Sequence, residues 1–133
     1  MKTKTETLTR SALDRAVAIA NGDLYPLGDV RTLNGKVFTI EPGNHETADR
    51  WSKYSPSTDW AQGGPILERQ EIELHKWGIE GWMAKDTNYQ FLNTPAESAV
   101  FAKAYGPTPL IAAMRCFVAS KLGDEIDVPD ELT

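Results

Sequence analysis

Recognition chemistry is most concentrated in Asp59-Trp60-Ala61-Gln62-Gly63-Gly64-Pro65. Gly63 and Gly64 carry no side chain to hold a ligand away from the main-chain N–H groups, so an anion can approach closely. Trp60 offers a stacking surface for a base or other planar ring, and Asp59 and Gln62 can hydrogen-bond a ribose or a base edge. The same residues admit a structural reading in which Ser57 or Asp59 caps a turn, Trp60 anchors the loop in the core and Gly-Gly-Pro opens a strand. No Gly-Lys-Ser/Thr follows the glycines, so this is not a phosphate loop of the familiar type. Upstream, Trp51 to Trp60 holds two Trp, one Tyr and four Ser/Thr hydroxyls, a composition that suits a structured functional loop. The candidate ligand-binding set is Trp51, Tyr54, Asp59, Trp60, Gln62, Gly63 and Gly64, with Tyr105 and Arg115 brought from elsewhere.

Arg115 sits in a helix that is otherwise apolar on nearly every side. Its guanidinium must reach an acid, leave along its aliphatic stem or face a pocket. An ion pair is the expected role, and in a pocket the same group is the natural anion partner.

Other catalytic patterns fail on spacing. His45-Glu46-Thr47 has the His-x-Thr form that two-histidine phosphoesterases use twice, but the second histidine lies in His75-Lys76-Trp77 and lacks the hydroxyl. There is no Gly-x-Ser-x-Gly elbow for a hydrolase nucleophile. One Cys and two His give no zinc ligand set. Glu71 and Glu73 share one strand face and read as solvated surface. No catalytic residue, metal or cofactor is therefore expected.

The elements that must position the candidate residues follow from periodicity and caps. Leu13, Ala16, Val17 and Ala20 have the spacing of one helix face, which predicts a helix over 10–20, with Thr9 as cap, Leu8 stapling onto Leu13 and Asn21-Gly22 as a left-handed stop. Gly22 to Asn34 reads as irregular, and 36–40 as a short strand stopped by Pro42-Gly43. Alternation at Ile72 and Leu74, a break at Gly78 and Gly81 to Lys85 predict a hairpin whose first strand begins at Ile66-Leu67. Thr94-Pro95-Ala96-Glu97 has the capping-box arrangement and predicts a short helix to Lys103 or Ala104. Thr108-Pro109 repeats the hydroxyl-then-proline start, and Leu110, Ile111, Ala113, Met114, Phe117, Val118 and Leu122 cover most of a helix circumference before Gly123. That pattern belongs to a central helix buried against a sheet. The expected fold is α+β, with a small antiparallel sheet containing a hairpin, this central C-terminal helix and the N-terminal helix.

The 133 residues suit one domain, with residues 124–133 as an acidic C-terminal tail on which Val128-Pro129 can dock. Hydrophobic residues make up 41% and charged residues 25%, close to globular averages, so a packed core is expected. A net charge of −5 without a basic cluster repels phosphate backbones and anionic lipid, arguing against duplex nucleic acid and membrane as partners. A small anion remains possible, since a few N–H groups and one Arg suffice locally. The single cysteine, Cys116, sits in an apolar run, and the polar start leads into no signal core, which points to a reducing cytoplasm.

Two stretches carry a family likeness. Ser55-Pro56-Ser57-Thr58-Asp59-Trp60-Ala61-Gln62-Gly63-Gly64-Pro65-Ile66 and the run from Tyr105-Gly106-Pro107-Thr108-Pro109 through Met114-Arg115-Cys116-Phe117 to Gly123-Asp124-Glu125 resemble the signature segments of the NinX family of bacteriophage proteins. The N-terminal helix, with Leu13-Asp14 and Ala16-Val17-Ala18, is also similar, whereas Glu80 to Ala104 is not matched. The resemblance implies an accessory product encoded near phage replication and recombination genes, and it brings no activity, cofactor or site residue with it.

Two functional expectations result. One is a non-enzymatic protein whose 51–65 segment, helped by Arg115 or Tyr105, holds a small nucleotide-like ligand, with sequestration of a host immune signal as the use a phage would make of it. The other is an interaction module that docks on host or phage DNA-metabolism proteins through exposed Trp and Tyr. Homo-oligomerisation is a further expectation, because a small domain with this many aromatics is apt to expose some at an interface.

Overall fold

The computed structural model describes residues 2–21, 30–41, 44–48, 50–86, 102–123 and 125–132. Its centre is helix α3, Pro109–Leu122. The Thr108 hydroxyl accepts the Ile111 N–H at 3.1 Å, Pro109 fills the first turn where its missing N–H costs nothing, and Gly123 at φ +90 ends the helix. Leu110 and every residue from Ala112 to Val118 are buried, as the apolar circumference requires.

One face of α3 lies on an antiparallel sheet of β5 (Ile72–Trp77), β6 (Gly81–Asp86) and β7 (Ala102–Gly106), in that order. The β5–β6 hairpin turns through Gly78 at φ +67, a left-handed conformation that glycine adopts without strain. Ile72, Ala84 and Ala104 point inward and are buried, so the alternation seen in the sequence is the core-facing row.

Helix α1, Arg10–Ala20, packs on α3 and buries Leu13, Ala16, Val17 and Ala18, with Leu8 buried just before it. Its other neighbour is a second antiparallel sheet, in the order β2 (Val30–Leu33), β3 (Lys36–Glu41) and β4 (Arg50–Lys53). A two-stranded sheet joins β1 (Lys2–Lys4) to β8 (Glu125–Asp127), with Lys2 opposite Asp127 and Lys4 opposite Glu125. These pieces form the expected α+β fold, with the C-terminal helix packed against sheet.

Several local expectations are corrected. Ile66 and Leu67 belong not to a strand but to helix α2, Trp60–Arg69, which runs through Pro65. Asp59 caps it by accepting the Ala61 N–H at 2.9 Å, and Gly63 and Ile66, three apart, form its buried row. That burial outweighs the breaker signals of Gly-Gly-Pro. Residues 30–33 are a strand because β3 pairs with them across the Asn34-Gly35 turn, and 50–53 are a strand and not loop because they pair on the other side of β3. Thr9 precedes α1 without a side-chain cap bond, and Asn21 ends it at φ −92, while Gly22 of the expected left-handed stop lies outside the described residues. The helix expected over 94–104 falls mainly outside the described residues, but 102–104 are in β7 because they pair with β6. In the acidic C-terminal segment, 125–127 are strand and Val128 is buried.

Candidate functional site

The expected binding segment is built as scaffold over most of its length. The Gln62 side chain accepts the Ser55 N–H through Oε1 and donates to the Lys53 carbonyl at 2.9 Å, clasping the chain that leaves β4. Asp59 spends one carboxylate oxygen on the α2 cap. Gly63 sits where a Cβ would lie 2.3 Å from the Pro56 carbonyl oxygen and 2.6 Å from Leu110 Cδ1, so its missing side chain lets α2 close on α3 and the loop. Tyr54 is buried and donates its main-chain N–H to the Val37 carbonyl at 2.8 Å. Gly64 is half-buried beside the Trp60 ring. Below them, Asp14 of α1 accepts the Ser57 N–H at 2.9 Å. Burial pushes the Asp14 carboxyl above its ordinary range, opposed by the Ser57 hydroxyl and N–H and by Lys53. The Ser57 hydroxyl lies close enough to act on that charge but not in hydrogen-bonding geometry, and it is buried with no other partner among the described residues.

The remaining candidates are distributed among three separate concavities. Trp60 is 53% exposed and borders a shallow cleft of about 200 Å³ with Ser57, Thr108 and Ile111, between the starts of α2 and α3. Trp51 belongs to a different pocket, about 330 Å³, lined with Arg31, Thr32, Leu33 and Phe38. There the Arg31 guanidinium lies 4.6 Å from the centroid of the Trp51 ring, a cation–π distance. Strand alternation explains the grouping. Val37 and Thr39 point into the core, so Phe38 faces the other way, opposite Arg31 on β2, while Trp51 stands opposite Ile40. Arg31 and Phe38 were not among the expected site residues; the alternation of Lys36-Val37-Phe38-Thr39-Ile40 is the signal that points to Phe38.

Arg115 lies in the third concavity, a cleft of about 410 Å³ that also exposes Lys4, Glu6, Lys103 and Glu125. Its expected acid partner is absent among the described residues: Nε donates to the Leu8 carbonyl at 2.8 Å and Nη1 to the Tyr105 carbonyl at 2.7 Å. Main-chain carbonyls reach it first because α3 carries it between the N-terminal segment and β7. Burial lowers its pKa, partly offset by Glu6. Tyr105 contributes its carbonyl there, while its ring lies 5.3 Å from that of Trp77 on the outer face of the β5–β7 sheet.

The groups that could do covalent chemistry are dispersed or quiet. His45 and His75 are exposed, with Glu46 and Glu73 at 3.8 and 4.0 Å. Cys116 is buried and its thiol is pushed up to about 12, mainly by burial, which keeps it protonated and unreactive. Among the described residues no cluster of three or more His, Cys, Asp or Glu is placed to hold a metal, and no helix is long and apolar enough to cross a membrane.

Fold and site together describe a small α+β domain with concave, cation-bearing surfaces. The chain belongs to the NinX family of phage proteins: the family model described as "Bacteriophage P22, NinX" matches residues 4–121, from β1 to the end of α3. No curated protein matches the chain.

Proposed function

We propose that this protein is a non-enzymatic binding protein for a small nucleotide-like ligand, held on the outer face of the β2–β4 sheet. The observation that carries the reading is the Arg31–Trp51 pair in its pocket of about 330 Å³. A planar base can lie against Trp51 and Phe38, gaining stacking and apolar burial, while Arg31 turns to the phosphate. That volume is within the usual range for small-molecule sites. Strand alternation places Arg31, Lys36 and Lys53 on one face of this sheet, although the whole chain carries −5. Local charge therefore favours an anionic ligand where net charge does not. In a phage protein, such a pocket suits sequestration of a nucleotide that the host uses as an immune signal.

Calorimetry against mono-, di- and cyclic nucleotides tests this, with Trp fluorescence as a second readout. One class is expected to bind with quenching, and Arg31→Ala, at an exposed position, to weaken binding by about tenfold with an unchanged melting temperature. Absence of binding across the panel overturns the reading.

A second reading, an interaction module acting on host or phage DNA-metabolism proteins, is favoured by Trp77 and Tyr105. They are 55% and 43% exposed and stand side by side on the outer face of β5–β7, where paired aromatics resemble the anchors of protein interfaces. A second copy of the chain is one partner for that face, and light scattering of the wild type and Trp77→Ala distinguishes it from a foreign protein.

A further inference from the structure

Arg115 is only 9% exposed, yet it makes no ion pair among the described residues. A guanidinium has five N–H donors, and the Leu8 and Tyr105 carbonyls take two of them. Carbonyl dipoles stabilise a cation but do not neutralise it, and a buried charge without a counter-charge is costly to maintain. The group borders a cleft of about 410 Å³ whose lining also includes Lys4 and Lys103. Glu6 and Glu125 flank it, both exposed.

We propose that this cleft is an anion site for a phosphoryl group, with Arg115 as its fixed base and Lys4 and Lys103 at its rim. The two carbonyl bonds orient the guanidinium, and its remaining donors form the fork that matches two oxygens of a phosphate. Because Arg115 is already desolvated and oriented, little ordering cost falls on binding. The oxyanion supplies a counter-charge that Arg115 lacks among the described residues at ion-pair distance. Glu6 and Glu125 accept hydrogen bonds from hydroxyls carried next to the phosphate, which makes a phosphorylated sugar a better occupant than the free ion. This cleft and the β2–β4 pocket share no residue, so each stands or falls alone.

The test uses the full chain in thermal shift and calorimetry with inorganic phosphate, ribose 5-phosphate and ribose, at ionic strength held constant with chloride. Phosphate and ribose 5-phosphate are expected to raise the melting temperature saturably, and ribose to have no effect. Lys4→Ala and Lys103→Ala, both at exposed positions, are expected to weaken phosphate binding several-fold while leaving the ligand-free melting temperature unchanged. Arg115→Lys, which keeps the charge but loses the fork, should weaken it by about tenfold or more. Equal affinity for phosphate and ribose 5-phosphate supports the site and assigns it to the free ion. No saturable response to either, or a response unaltered in the Lys4→Ala/Lys103→Ala double variant, overturns the proposal.

Discussion

Asp14, in the middle of α1, accepts the main-chain N–H of Ser57 at 2.9 Å, so one buried carboxylate ties the loop after β4 to the helix beneath it. Removing the acceptor by Asp14→Ala leaves a buried N–H unsatisfied and should cost about 1–3 kcal/mol in denaturant unfolding. Asp14→Asn retains an oxygen for Ser57 and should lose less. The two variants also separate a charge effect from a hydrogen-bond effect through pH. Burial raises the Asp14 pKa in the folded state above its ordinary value of 3.8, so the folded protein holds this proton more tightly than the unfolded chain does. The contribution is therefore most favourable below that ordinary value and is lost as pH rises through it toward the higher folded value. The stability of the wild type relative to Asp14→Asn is expected to fall across that window and then level off. A relative stability that rises with pH there contradicts the assignment.

Gly63 and Gly64 are neighbours in α2 with opposite surroundings. At Gly63 a Cβ would press into the Pro56 carbonyl and Leu110, and Gly63→Ala should cost about 1–3 kcal/mol. At Gly64 it would meet only Trp60 Cε3 at 3.8 Å, an ordinary contact, so Gly64→Ala should stabilise by about 0.5–1 kcal/mol through helix propensity. Urea titration of the two variants reads both signs at once.

Gln62 distinguishes scaffold from ligand contact. Its amide bonds to Ser55 and Lys53 predict that Gln62→Ala lowers stability by about 1–3 kcal/mol. A variant with an unchanged melting temperature but no ligand binding would place Gln62 in contact with ligand instead.

Phe117 is 1% exposed at the centre of α3. Phe117→Ala should cost about 3–5 kcal/mol in equilibrium unfolding, the value for a large cavity in a core that cannot collapse.

The parts of the fold legible in the sequence were those where local signals and tertiary packing agree. Thr108-Pro109 before an apolar run is already a cap and a core, and Gly78 between alternating residues is already a turn. In α2 they disagree: Gly63, Gly64 and Pro65 are poor helix residues, and only contact with Pro56 and Leu110 shows why a residue without a side chain is needed there. Strands β1, β2 and β8 are too short to carry a period, and their partners decide them. The site divides in the same way. Trp51 and Arg115 stand out by residue type, but Arg31 beside Trp51, or Lys4 and Lys103 beside Arg115, become neighbours only through pairing of distant segments.

The antiparallel pairing of Lys2–Lys4 with Glu125–Asp127 has a consequence in time. While the chain is being made, β1 emerges well before its partner β8, so the pair closes a loop that holds every element between them. Lys4, Thr5 and Glu6, and Glu125 opposite Lys4, reach the lining of the Arg115 cleft from these two segments. A nascent chain can fold the β5–β6 hairpin before α3 exists, but it cannot assemble that cleft until synthesis has passed β8.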